Sequence, residues 1–336
     1  MKILILQTAF AGDVVLAAPL AEGLKGAHPE AEVHFLVIPE TAVLLKNNPF
    51  IRKVWTYDKG GSERGVSSFF RLGRKLRREG FNLAVVPHRS LRSALLVRWA
   101  GIPRRIGFRN SAGAVFFTNL VPYPKNVHEV ERNFRLIQST GWKEIIPPRL
   151  YPGAEEVEAV DRFLEETGIV SERNFVAVAP GSVWPTKRWV PEGFAGAAKT
   201  LWGRHHIRSI LIGGEEDADL GNGMVEKCGA GVVSAIGKLS LLASAELIRR
   251  CRVILTNDSA PLHLAAAVGT PVVAVFGPTV PAFGFGPYGD GHTIVERKLP
   301  CRPCGVHGGR KCAEQHFRCM KDISVEEVLQ ALEGYL

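Results

Sequence analysis

Four short stretches carry side chains that could do chemistry. They are Thr8-Ala9-Phe10-Ala11-Gly12-Asp13, Pro180 to Trp189 (PGSVWPTKRW), Gly213-Gly214-Glu215-Glu216-Asp217, and Thr256-Asn257-Asp258-Ser259 with His263 beyond it. Each follows a short apolar run and precedes a helical pattern. In a parallel sheet that is where loops and helix N-termini gather ligands. In the first, Gly12 permits close backbone approach and Asp13 opens a helix. Two readings are open for Asp13, a helix N-cap or a carboxylate able to act as general base. In the second, Ser182, Thr186 and Lys187 are the hydroxyls and cation that could cradle and neutralise phosphate oxygens; a plain basic surface loop fits equally. The glycine spacing there is not that of a Walker P-loop. In the third, Glu215 could accept hydrogen bonds from a ribose, or be an acid of a flexible turn. In the fourth, Ser259 is placed to cap a helix whose first-turn N–H groups would welcome a diphosphate. Asp258 would repel phosphate and is expected to face sugar hydroxyls. His263 is read either as a half-buried core histidine or as a polar ligand contact.

The elements that must hold these turns alternate along the chain. Strand-like runs at Ile3–Leu6, Val33–Val37, Val54–Tyr57, Leu83–Val86 and Arg104–Phe108 interleave with helical patterns at Val14–Gly26, Phe69–Glu79 and Ser90–Ala100. This is the rhythm of βαβ units. A proline-rich stretch over residues 122–152 then surrounds a helix expected at His128–Ser139, and a helix at Glu155–Glu166 leads out of it. The rhythm restarts with strands at Phe175–Ala179, Ser209–Ile212, Cys251–Leu255 and Val272–Phe276 and helices at Pro191–Leu201 and Ala243–Arg250. The expected organisation is an α/β chain of two Rossmann-like domains, over 1–152 and 153–322, with parallel sheets facing each other across a cleft. A terminal helix over 323–336 is expected to pack back on the first domain.

The chain of 336 residues carries a net charge of +9, unevenly spread. Residues 1–150 hold 23 Lys and Arg against 11 acids, and the remainder 19 against 22. Arg71, Arg89, Arg92 and Arg109 belong to the basic excess. It is read as a solvated helix face or as a surface meeting something anionic: a phosphorylated substrate, a membrane surface or, without a supporting motif, nucleic acid. No run is long and apolar enough to suggest a spanning helix. The start, MKILILQTAFAGD, reads as a first buried strand rather than a signal peptide, and a cytoplasmic location is expected. Cys301, Cys304, Cys312 and Cys319 lie close in sequence and raise a structural zinc, alongside free thiols or a labile disulfide.

The stretches MKILILQTAFAGDVVLAAPL, PGSVWPTKRWVPEGFA and TNDSAPLHLAAAVGTPVVAVFGPT, in this order, resemble the ADP-heptose:lipopolysaccharide heptosyltransferases over nearly the whole chain. The resemblance implies the GT-B architecture and inverting transfer of heptose from ADP-heptose to the lipopolysaccharide inner core. The middle stretch looks more like the second heptosyltransferase, which adds to the first heptose. The resemblance implies Asp13 as base and Lys187 as the diphosphate ligand, flanked by Ser182 and Thr186. It places Glu215 near the ribose and matches Asp258, Ser259 and His263 to the donor motif. It also implies an acceptor-binding first domain, with Arg71, Arg89, Arg92 and Arg109 as candidates, and contact with the cytoplasmic face of the inner membrane. No cofactor is implied for catalysis. The alternatives are another enzyme of this architecture (heptosyltransferase I or III, or a UDP-sugar 2-epimerase) and a non-catalytic nucleotide- or glycolipid-binding protein.

Overall fold

A computed structural model describes residues 1–169 and 175–336. The chain divides into two compact units, Met1–Tyr151 and Pro152–Leu336.

The first unit runs β1 (Lys2–Leu6), α1 (Ala11–Ala17), α2 (Leu20–Ala27), β2 (Glu32–Val37), β3 (Lys53–Thr56), α3 (Val66–Glu79), β4 (Leu83–Val86), α4 (Leu91–Trp99), β5 (Arg104–Phe108), β6 (Asn119–Val121) and α5 (Glu129–Ile137). Its six strands are all parallel, in the order β3-β2-β1-β4-β5-β6. Residues 3–6 of β1 and all of β4 are buried. That is why they read as unbroken apolar runs rather than alternating ones. The single helix expected over Val14–Gly26 is two helices. Pro19 has no N–H to give, and its ring crowds the carbonyl four residues back, so the first helix stops before it. Gly23 and Gly26 let α2 close on α5 and the segment after it. A Cβ at Gly26 would lie 2.2 Å from a ring carbon of Trp142, and one at Gly23 2.8 Å from Ile137.

The second unit runs α6 (Ala154–Glu166), β7 (Phe175–Ala179), α7 (Pro191–His205), β8 (Arg208–Leu211), α8 (Ala218–Cys228), β9 (Val232–Ser234), α9 (Leu241–Arg250), β10 (Ile254–Asn257), α10 (Ala260–Ala267), β11 (Val272–Phe276), β12 (Thr293–Glu296), α11 (Arg318–Lys321) and α12 (Val325–Glu333). Its parallel sheet, β12-β11-β10-β7-β8-β9, repeats the strand order of the first. Both units are therefore Rossmann-like, as the alternation predicts. The apolar face of the terminal helix belongs to the second unit. Val328, Leu329 and Leu332 are buried in the core of the second unit, with Leu201 of α7 and Val273 of β11.

In each sheet the strand order reverses beside the first strand of the unit. In the first unit the reversal lies between β1 and β4, and in the second between β7 and β10. Loops diverge at such a reversal, and open parallel sheets take up ligands in the crevice there.

Candidate functional site

Thr8, Asp13, His88 and Arg89 follow the carboxyl ends of β1 and β4, on either side of the first reversal. Asp13 sits in the first turn of α1, where its carboxylate accepts the Phe10 N–H at 3.3 Å. It thus closes the helix start from inside the turn rather than from the N-cap position. Burial pushes its carboxyl up to about 6, reinforced by the negative charge of Glu129 and opposed by the Phe10 N–H and by Arg89. Glu129 is itself buried, held by Tyr123 Oη at 2.7 Å and Arg132 Nη1 at 2.9 Å. The α5 helix that carries it is tied to α1 by Asn133 Nδ2, which donates to the Leu16 carbonyl at 3.1 Å.

Cations surround this carboxylate. The Arg89 guanidinium lies over the Tyr123 ring at 4.3 Å. Arg92 donates to the Lys59 carbonyl at 3.3 Å. Burial lowers the Lys59 ammonium, as does the charge of Arg92, while Asp13 opposes the shift. His88 Nδ1 lies 3.1 Å from Thr8 Oγ1 and 2.9 Å from Ser93 Oγ. Burial, with Lys59 and Arg89 nearby, brings its imidazole down to about 4, so it is neutral at pH 7. Of the arginines considered from sequence, Arg89 and Arg92 join this group. Arg71 lies on α3 beside Glu63 (3.6 Å) and Ser68 (3.1 Å), and Arg109 is exposed just beyond β5. Lys59, His88 and Glu129 are the members that the sequence reading missed. His88 carried a signal, since it stands two residues past a buried strand. Lys59 and Glu129 come from a loop and a helix whose positions only the fold supplies.

At the second reversal, Lys187 Nζ meets Asp258 Oδ2 at 2.6 Å. Thr279 Oγ1 donates to the same oxygen, also at 2.6 Å. The two charged side chains keep only 13% and 7% of their exposure. Lys187 ends a short 3₁₀ turn, Pro185–Lys187, and Asp258 directly follows β10. Asn257, fully buried, stitches the two loops together. Its Oδ1 accepts the Trp189 N–H at 2.8 Å, and its Nδ2 donates to the carbonyls of Pro180 (2.9 Å) and Gly181 (3.3 Å). Asn257 and Thr279 were both missed as site residues, although each lies in a stretch quoted for its resemblance.

The remaining groups take more specific places than their types suggested. Thr186 does not present a loose hydroxyl. Its Oγ1 donates to the Gly309 carbonyl at 3.0 Å and accepts the Gly309 N–H at 2.7 Å, pinning the 307–309 loop under the Lys187 turn. Ser182 Oγ accepts the Trp184 N–H at 3.4 Å, and the Ser182 carbonyl accepts Arg188 Nε at 2.7 Å. Glu215 is exposed at the turn after β8, and the acid that turns inward there is Asp217. Asp217 Oδ1 lies 3.8 Å from Arg188 Nη2, and burial raises its carboxyl, with Arg188 opposing and Glu216 adding. Gly181 makes room for it: a Cβ there would come within 2.1 Å of Asp217 Oδ2. Ser259 stands at the N-cap of α10, but its side chain makes no capping bond to the helix. Pro261 lacks an N–H and the Leu262 N–H is taken by the Ser259 carbonyl, so this helix end offers fewer free donors than its sequence suggests. His263 is buried on α10.

The zinc expectation finds no ligand set. Among the described residues no group of three or more His, Cys, Asp or Glu side chains is placed to hold a metal ion. Cys301 Sγ faces His316 Nε2 at 3.8 Å, and Cys304 Sγ donates to the Cys301 carbonyl at 3.4 Å. Cys319 is buried in the second core, where desolvation pushes its thiol up to about 11. A zinc ligand would need thiolates about 2.3 Å from one centre. The segment instead buttresses the Lys187 turn: a Cβ at Gly308 would come within 2.5 Å of Trp184 and 2.9 Å of the Lys187 side chain.

Residues 69–315 match glycosyltransferase family 9 (heptosyltransferase). The chain is 28% identical to the lipooligosaccharide heptosyltransferase 2 of Haemophilus influenzae, covering 100% of this chain and 99% of that one. It superposes on the structure of the Escherichia coli ADP-heptose lipopolysaccharide heptosyltransferase II with a TM-score of 0.81 and 25% identity, over 100% and 98% of the two chains. A family 9 glycosyl transferase from Veillonella parvula shares the fold at a TM-score of 0.86 and 24% identity, over 99% and 96%. The chain thus belongs to glycosyltransferase family 9, the heptosyltransferases, and is a glycosyltransferase of the two-Rossmann-domain GT-B fold.

Proposed function

We propose that this enzyme moves heptose from ADP-heptose, with inversion, onto the inner core of nascent lipopolysaccharide, at the first heptose. The donor follows the name of the solved Escherichia coli ADP-heptose lipopolysaccharide heptosyltransferase II, and the acceptor class follows the names of the full-length relatives, the lipopolysaccharide and lipooligosaccharide heptosyltransferases 2. The observation that carries the reading is the Lys187–Asp258 pair at the β7–β10 reversal. A lysine there can neutralise a diphosphate, and a carboxylate beside it can turn to sugar hydroxyls. Ser182, Ser259, His263 and Glu215 complete the proposed donor set, with Thr186 acting through the loop it pins. The dipole of α10 adds a modest positive potential.

Asp13 is the proposed base. As the acceptor oxygen attacks C1 of the heptose, its proton passes to the Asp13 carboxylate. The bond from C1 to the diphosphate oxygen breaks, and ADP departs with the electron pair, its charge met by Lys187. Such a base contributes about 10²–10⁴-fold. With its carboxyl near 6, Asp13 is mostly ionised at pH 7 yet basic enough to take a proton. Arg89 and Arg92, with Lys59, suit the phosphates of the acceptor; Arg71 and Arg109 are its more distant candidates. No metal enters this scheme. Work at the cytoplasmic face of the inner membrane follows from the proposed acceptor; among the described residues no helix is long and apolar enough to cross a membrane.

The test is a transfer assay with ADP-heptose and two truncated acceptors, one ending in a single heptose and one ending before it. Product on the first alone is expected. Product only on the second would move the enzyme to the preceding step, and product on neither would end the reading.

A further inference from the structure

The outer face of the α3–α4 pair carries exposed aromatic side chains among basic ones. Val66, Phe70, Gly73, Arg74 and Arg77 recur at helical spacing along one stripe of α3. Their spacing would suit a buried face, yet Val66 is 71% and Phe70 38% exposed. Beside them, Trp99 at the end of α4 is 42% exposed. The Phe70 and Trp99 rings meet edge to face at 4.7 Å. Trp99 lies across Gly73, where a Cβ would come within 2.2 Å of its ring, and Arg77 donates to its backbone carbonyl at 2.6 Å. The aromatic pair is thus locked in place while facing solvent.

The stretch of chain that carries these two helices is strongly basic. From Arg64 to Arg109 the chain has twelve Lys and Arg and one acid, Glu79. Glu79 is engaged by Lys2 at 3.4 Å and Lys53 at 3.6 Å. Arg74, Lys75, Arg78 and Arg98 are all exposed. The core side of α3 is satisfied by Leu72 and Leu76, so the outer aromatics are not left over from an unfilled core.

We propose that this face docks on an anionic phospholipid bilayer. Fixed aromatic rings that are half in and half out of solvent suit the headgroup level of a membrane. Arginine stems can lie along the acyl boundary while their heads meet lipid phosphates. The complementarity favours a negatively charged, extended surface with an apolar interior over a folded protein partner, which would leave a row of like charges to be matched one by one. This surface deepens the proposed function, whose acceptor is a membrane glycolipid, but its binding can be measured with no substrate present.

The experiment is co-sedimentation of the full chain with vesicles of phosphatidylglycerol and phosphatidylcholine in equal parts, and with pure phosphatidylcholine. Binding to the anionic vesicles, weakened by salt, is expected, with little on the neutral ones. A Phe70→Ser, Trp99→Ser double variant and an Arg74→Glu, Arg78→Glu double variant should each lose about tenfold or more in vesicle affinity. The charge-reversed variant touches only exposed side chains, so it tests the surface even where loss of the aromatics harms folding. An Arg310→Glu, Lys311→Glu variant in the second unit should bind as the parent does. No binding by the parent, equal binding to both vesicles, or unchanged binding by the charge-reversed variant would overturn the proposal. So would stronger capture by a short DNA duplex that ignores the aromatic substitutions. Transfer to a delipidated acceptor should be unaffected by Arg74→Glu, Arg78→Glu. Vesicle binding without any transfer by the parent would sink the proposed reaction and leave the surface standing.

Discussion

Lys187 Nζ and Asp258 Oδ2 lie 2.6 Å apart, on loops that follow different strands, with both side chains nearly withdrawn from solvent. Each was singled out in the sequence for a different substrate group, one for phosphate and one for sugar. Their pairing means that Lys187 has a protein partner whenever donor is absent. A diphosphate must therefore compete with, or share, that lysine.

Removing one member strands the other. Lys187→Ala should lower stability by about 3 kcal/mol, since a nearly buried carboxylate loses its counter-charge. It should also weaken ADP binding by about tenfold or more. The paired change Lys187→Met, Asp258→Asn should recover most of the stability and none of the ADP affinity. Thermal melting and calorimetric titration read the two effects separately. Equal ADP affinity in Lys187→Ala would remove the lysine from the donor site.

Gly181 tests how the second crevice is built. An added methyl would overlap Asp217, so Gly181→Ala should be destabilising by about 1–3 kcal/mol. Asp217→Ala in the same chain should relieve most of that loss. If Gly181→Ala melts like the parent, the close approach of Asp217 to this turn is wrong.

The elevated carboxyl of Asp13 gives two signs to check. As a base it must be ionised, so kcat/KM should rise through pH 6. Glu129 raises Asp13 by its charge, so Glu129→Gln should shift that acid limb to lower pH. Stability runs the other way. Folding favours the protonated carboxyl, so the contribution of Asp13 is present below about pH 4 and is lost as pH rises through 6. Asp13→Asn should thus gain on the parent in melting temperature above pH 6, and the gain should vanish below pH 4. An acid limb that Glu129→Gln leaves in place would contradict this coupling.

Chelation bears on the four clustered cysteines. With no ligand set among the described residues, EDTA should leave the melting temperature unchanged, and the purified protein should carry no stoichiometric zinc. One zinc per chain with a lowered melting temperature after chelation would reverse this.

The alternation of apolar runs made most of both sheets legible, because strands buried on both faces, such as β4 and β11, write themselves as unbroken runs. The edge strands β6, β9 and β12 went unread. They are three or four residues long and only partly buried, too short for a period to show. Helix α8 was hidden by Gly221 and Gly223, which weaken any helical pattern even though Gly221 packs tightly on Ile236. At the sites, turns after strands could be found by residue type, but partners could not. Nothing local says that Thr186 will spend its hydroxyl on Gly309, 123 positions away. Nor does the acidic run after Gly214 say which acid turns inward. The fold makes it Asp217, because Gly181 leaves the space for that side chain.

The most direct test of the central claim is heptose transfer by Asp13→Asn beside its ADP affinity. Loss of turnover by about 10²-fold or more with ADP binding unchanged is the expected result. Turnover equal to that of the parent would contradict the account, since no other group has been given the proton.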